Sequence, residues 1–143
     1  MKRIQNALLN VLGGILGILG MTLAWFLTEL VLLKWLPQIP IIPRILSWPV
    51  SYEWYATVGI ISVAVFVGYG ISNRICRFAT YKYNYGTICL ALVSALFFAY
   101  QIISSVANNR FSWTVLIVYG FAILTCIFMG IESAKNDNVA QDT

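Results

Sequence analysis

Glu29 is the one charged residue in the apolar run Ala7–Leu33, where it stands in the stretch TELVLLKW. An ionised carboxylate at the centre of a bilayer costs at least ~2.5–3.5 kcal/mol on insertion scales, so such a group is either paired or used. Trp35 follows six residues later and marks a membrane interface, which puts Glu29 a turn or two below the headgroups. Three roles fit: snorkelling or ion pairing with Lys34, Arg44 or Arg110, coordination of a proton or cation, and pairing with another molecule. Laid on a helix, Glu29 falls roughly 135° from the glycine face described below, away from the expected core. Glu132 reads as the polar end of the last apolar run.

Other polar side chains sit in or just beside apolar runs: Asn6, Asn10 and Thr28 with the first, and Ser94, Gln101, Ser105 and Asn108 with the third. They suit either a hydrophilic path or hydrogen bonds between helices, worth ~0.6–2 kcal/mol each. Histidine is absent, which removes imidazole acid–base chemistry and the commonest metal ligand. Cys76, Cys89 and Cys126 form no C-x-x-C pair and read as small buried apolar residues in a reducing compartment. No serine has a histidine partner, no carboxylates pair, and no glycine-rich phosphate loop follows a strand. The expectation is a protein that is not an enzyme, with no cofactor and no metal.

The elements that must carry these residues follow from composition. The chain has 143 residues, 60% hydrophobic and 10% charged, and a soluble domain of this size would need more charge to stay dispersed. Four runs, 7–33, 55–72, 87–106 and 113–131, each hold at least 18 residues, enough to cross a hydrocarbon layer ~30 Å thick as a helix. This predicts an all-α membrane protein, a single domain of four transmembrane helices spanning residues 1–143. Met1-Lys2-Arg3 resembles the start of a signal peptide, but the apolar run behind it exceeds the usual core of ~7–15 residues, so the first run is expected to be retained.

The glycines of NVLGGILGILGMTLAW become intelligible on that helix. Asn6, Asn10, Gly13, Gly17, Gly20, Ala24 and Thr28 recur at steps of three and four, which keeps them on one face. Lipid gives little reward for burying leucine on leucine, so close backbone approach and polar contacts hold membrane helices together. The face therefore reads as a contact seam. Thr87, Ala91, Ser94, Phe98, Gln101, Ser105 and Asn108 make the same pattern in the third run, with Phe98 its bulky member. The second has a shorter seam, Ala64, Gly68 and Ser72, and the first and third are expected to meet in the centre.

Residues 34–54 form the long connection. Pro37, Pro40 and Pro43 recur every third residue, the repeat of an extended polyproline helix, with isoleucines between them and Trp48, Tyr52 and Trp54 after them. This segment is expected to lie along the outer interface. Lys2, Arg3, Arg74, Arg77, Lys82 and Lys135 would face one side and Lys34, Arg44 and Arg110 the other, so both termini are expected to be cytoplasmic, in the plasma (inner) membrane. Arg74, Arg77 and Lys82 then sit where anionic lipid headgroups are. The tail 132–143 is polar. The basic residues abut helices and make no stripe for nucleic acid, so no nucleic-acid partner is expected.

Asn73-Arg74-Ile75-Cys76-Arg77-Phe78 resembles the N-R-x-x-x-F pattern after the second span of GtrA-like four-helix proteins, which are linked to moving lipid-linked sugars. The resemblance fixes three residues of six, its counterpart is missing from FMGIESAKN at the end of the fourth run, and no membership is assigned on it. The leading functional expectation is a small non-enzymatic membrane protein, an accessory, immunity-type or defence-type subunit. It would act through helix packing, homo-oligomerisation or a membrane or cytoplasmic protein partner. The alternative is a small transporter or oligomeric channel with a polar path along helices one and three, lipid-linked sugar movement being one form of it.

Overall fold

The structure, a computed structural model, describes residues 2–39, 51–79, 84–110 and 112–134. Four helices are long and apolar enough to cross a membrane, as a multi-pass membrane protein requires. They are α1 (Lys2–Glu29), α2 (Tyr52–Cys76), α3 (Tyr85–Ala107) and α4 (Trp113–Ala134). The first does not stop at Glu29. It widens into a π-helical segment, Leu30–Trp35, and closes in a 3-10 turn, Leu36–Gln38, that contains Pro37. The continuous helical stretch Lys2–Gln38 holds 37 residues. At ~1.5 Å per residue it is about 55 Å long, so it must tilt or project from a hydrocarbon layer of ~30 Å. Pro37 is therefore helical rather than the start of an extended polyproline repeat, while Pro40, Pro43, Arg44 and Trp48 lie outside the described residues.

The helices are not arranged as a ring of equals. α1 packs most extensively on α2 and α3 on α4, while α2 and α3 touch each other and lie between the outer pair. Among the described residues α1 and α4 share no contact. The core runs along α2, α3 and α4 through Ile61, Val65, Tyr69, Leu90, Phe98 and Ala122. The expected meeting of the first and third spans does occur, but α2 is the principal partner of α1. The reason is steric: the short seam of α2, Ala64, Gly68 and Ser72, is wholly buried and gives α1 the closest backbone to lie against.

The turn between α3 and α4 has a local cause. Asn109 has φ 53°, in the left-handed region that asparagine tolerates better than most residues. Arg110 N–H donates to Ser105 O at 2.9 Å and Asn109 N–H to Val106 O at 3.1 Å, a Schellman closure of α3. Ser112 then opens α4, its Oγ accepting the Val115 N–H at 3.3 Å.

Candidate functional site

The closest packing lies where the start of α1, the end of α2 and the start of α3 meet. Asn10, one helical turn before Gly13 and Gly14, donates through Nδ2 to Asn6 O at 3.0 Å and accepts the Gly86 N–H on Oδ1 at 3.2 Å. Gly86 is the second residue of α3, so its N–H is one of the donors that a helix's first turn leaves without a partner. An asparagine from another helix thus supplies the missing cap. Beside it, Ser72 Oγ and Thr87 Oγ1 lie 3.2 Å apart in hydrogen-bond contact, both fully buried. Asn84 Nδ2 donates to Asn73 Oδ1 at 3.2 Å and ties the entry of α3 to the end of α2.

Glycine is required at this junction. A methyl on Gly86 would run into the carbonyl oxygen of Asn10 and stand 2.8 Å from Cys76 Sγ. One on Gly13 would stand 2.5 Å from that same sulfur, so the thiol fills the notch the two glycines leave. Further along, a methyl on Gly17 would be 2.9 Å from both Leu90 Cδ2 and Ser72 Cβ and 3.1 Å from Gly68 O. Gly68 faces Gly17 O at 3.0 Å on the same basis. Backbone lies on backbone here.

Contacts farther along show that α1 and α3 run parallel with a constant offset. Gly17 meets Leu90, Met21 meets Ser94, and Trp25 meets Phe97 and Phe98. The Ser94 hydroxyl donates to Leu90 O at 2.7 Å and lies 3.3 Å from Met21 Sδ. Phe98 is fully buried, between Trp25 of α1 and Tyr119 of α4.

The expected seam residues divide by depth. Asn10, Gly13, Gly17, Ala24, Thr87, Ala91 and Ser94 are buried, while Asn6, Gly20, Thr28, Gln101 and Ser105 are half-buried. Thr28 and Ser105 turn their hydroxyls back on Ala24 O and Gln101 O. Asn108 is exposed and bonds Ser104 O at 2.8 Å, which makes it part of the end of α3 rather than of a contact face. Arg74 and Arg77 are exposed at the end of α2, and Lys82 lies outside the described residues. Cys76 and Cys126 are buried as expected, but Cys89 is exposed.

Glu29 is half-buried, and its Oε2 accepts the Trp25 indole N–H at 3.2 Å. Met21, Trp25 and Glu29 form one line along α1, and the first two of them touch α3. Gln101 continues the Ser94–Phe98 line of α3 and reaches the level of Thr28 and Glu29. Among the described residues its carboxamide has no hydrogen-bond partner. A second feature that sequence reasoning passed over is Tyr69, whose hydroxyl donates to Cys126 O at 2.9 Å and joins α2 to α4. A tyrosine in the middle of an apolar run was the available signal, since its hydroxyl needs a partner there.

Among the described residues, hollows face outward in two places. One of about 400 Å³ lies between α2 and α4, against Val65, Phe66, Val118 and Phe121, and its hydroxyls, Ser62 and Thr125, are taken up by Val58 O and Phe121 O. The other, about 240 Å³, lies between α1 and α3. Set beside protein-family models, curated proteins and solved structures, the chain matches none of them.

Proposed function

We propose that this chain is a non-enzymatic multi-pass membrane protein that acts by assembly, as an accessory, immunity-type or defence-type subunit, with both termini cytoplasmic in the plasma (inner) membrane. The observation that carries the reading is the closure of the seam. The small and amide-bearing face of α1 is taken up within the chain by Gly68, Ser72 and Cys76 of α2 and by Gly86 and Leu90 of α3. Asn10 and Ser94, two of the residues that would have to line a wet path, are buried against protein instead.

Assembly draws support from two glycines that the bundle does not use. A methyl on Gly70 or Gly120 would meet nothing within 4 Å. A helix-interior glycine lowers helix stability, and in lipid its return is close approach of another helix. Gly70 on α2 and Gly120 on α4 leave such notches on the surface. The orientation rests on the surplus of basic residues, Lys2, Arg3, Arg74, Arg77, Lys82 and Lys135, on one side. The test is purification in mild detergent after cross-linking in the membrane. A homo-oligomer or a reproducible protein partner is expected; a strict monomer under several conditions would count against assembly.

A second reading, a small transporter or oligomeric channel, is favoured by one observation: Glu29 and Gln101 reach the same level on neighbouring parallel helices. Its test is flux in liposomes with Glu29→Gln and Gln101→Leu. Unchanged flux in both variants removes those residues from any path.

A further inference from the structure

We propose that the C-terminal half of the α1–α3 groove binds a lipophilic organic cation, an amine or quaternary ammonium on an apolar body, with Glu29 as its counter-charge. This rests on the second reading's use of Glu29 and names the class of ligand.

The hollow of about 240 Å³ supplies the place, with Met21, Trp25, Val93 and Phe97 in its wall. Two hydroxyls also line it, and neither is available to a ligand as a donor. Thr22 donates to Ile18 O at 2.9 Å and Ser94 to Leu90 O at 2.7 Å. The wall therefore offers an anion or a sugar little to bind. What it does offer is an indole, a phenyl ring and a thioether, whose electron-rich surfaces attract a positive charge.

The charge that selects for a cation is Glu29. Glu29 follows Trp25 by one helical turn, about 6 Å of backbone rise, and its carboxylate is tied to that indole by the 3.2 Å bond. The bond uses the N–H edge of Trp25, while the ring itself lines the hollow. Gln101 stands at the same level of α3, one turn beyond Phe97, and its carboxamide has no hydrogen-bond partner among the described residues. The helix widens into its π-helical segment directly after Glu29, at Leu30, and such segments recur at functional sites. A carboxylate below the headgroups is costly alone. A cation entering sideways from the lipid would neutralise it and leave its apolar body against Met21, Trp25 and Phe97.

The full chain in nanodiscs of zwitterionic lipid, titrated calorimetrically with benzyltrimethylammonium, tests this directly. Glu29→Gln removes the charge yet keeps an oxygen for Trp25, and Glu53→Gln removes an exposed acid at the start of α2. Saturable binding is expected for the native chain, at least about tenfold weaker in Glu29→Gln and unchanged in Glu53→Gln. Circular dichroism and gel filtration confirm that the variants are folded. Absence of saturable binding, undiminished binding by Glu29→Gln, or equal losses in both variants would each overturn the proposal. Binding is measured without flux, so a protein that moves protons but ignores the ammonium contradicts this proposal alone.

Discussion

The backbone N–H of Gly86 donates to Asn10 Oδ1 at 3.2 Å, joining residues 76 apart in the chain on two parallel helices. The bond exists because Asn10 lies on the glycine face one turn before Gly13 and the second residue of α3, Gly86, lacks a side chain. Replacing Asn10 by leucine leaves a first-turn donor without its acceptor in an apolar setting. The expected loss is about 1 kcal/mol, within the range of ~0.6–1.7 for such bonds in membrane proteins, read as earlier unfolding in detergent. Gly86→Ala should be worse, since its methyl meets the Asn10 carbonyl and has nowhere to turn. Gly14→Ala is the control: its methyl would stand 3.4 Å from Gly86 O, an ordinary contact, and stability should barely change.

Gly17 carries the crossing of α1 over α2. Gly17→Leu puts an isobutyl group where Gly68 O, Ser72 Cβ and Leu90 Cδ2 already stand within about 3 Å of a methyl position. The two helices cannot then approach, and the variant is expected to lose its sharp gel-filtration peak and to unfold at lower temperature. A native profile for Gly17→Leu would refute the seam.

Gly70 and Gly120 should behave in the opposite way. Neither is needed for packing within the chain, so alanine there is expected to stabilise the isolated bundle by about 0.5–1 kcal/mol. If these notches receive another helix, the same substitutions will lower the cross-linked oligomer or the yield of partner. Thermal unfolding and cross-linking measured on one pair of variants give both readouts.

Tyr69→Phe isolates the link between α2 and α4. It removes the donor to Cys126 O while keeping the ring in the core. The carbonyl retains its helical bond, so the cost is expected at the lower end, about 0.6–1 kcal/mol. A change beyond about 2 kcal/mol would mean that Tyr69 holds more than this one contact.

How much of this was legible in the sequence follows from which interactions have a period. The four spans and the small faces of α1 and α3 were, because apolar length and steps of three and four are local properties. The choice of neighbour was not: Gly17 fits a backbone from any helix, and only the folded chain sets it against Gly68. Asn108 shows the limit of the stripe, since an asparagine in phase with a seam can equally close a helix, as its bond to Ser104 O does. The surroundings of Glu29 were hidden for a related reason. A seam of small residues marks the contact with α2, whereas Glu29 extends the Met21–Trp25 line on the side of α3, where the contacts are made by large side chains. The continuation of α1 through Pro37 had no signal in a prolyl repeat that reads as extended.

Disulfide trapping tests the packing of α1 on α3 most directly. With Cys76, Cys89 and Cys126 replaced by alanine, Met21→Cys paired with Ser94→Cys is expected to cross-link rapidly under mild oxidation in native membranes, because the two native side chains touch at 3.3 Å. Leu23→Cys, on the exposed face of α1, should not couple to Ser94→Cys. Rapid coupling through position 23 with none through position 21 would contradict the arrangement.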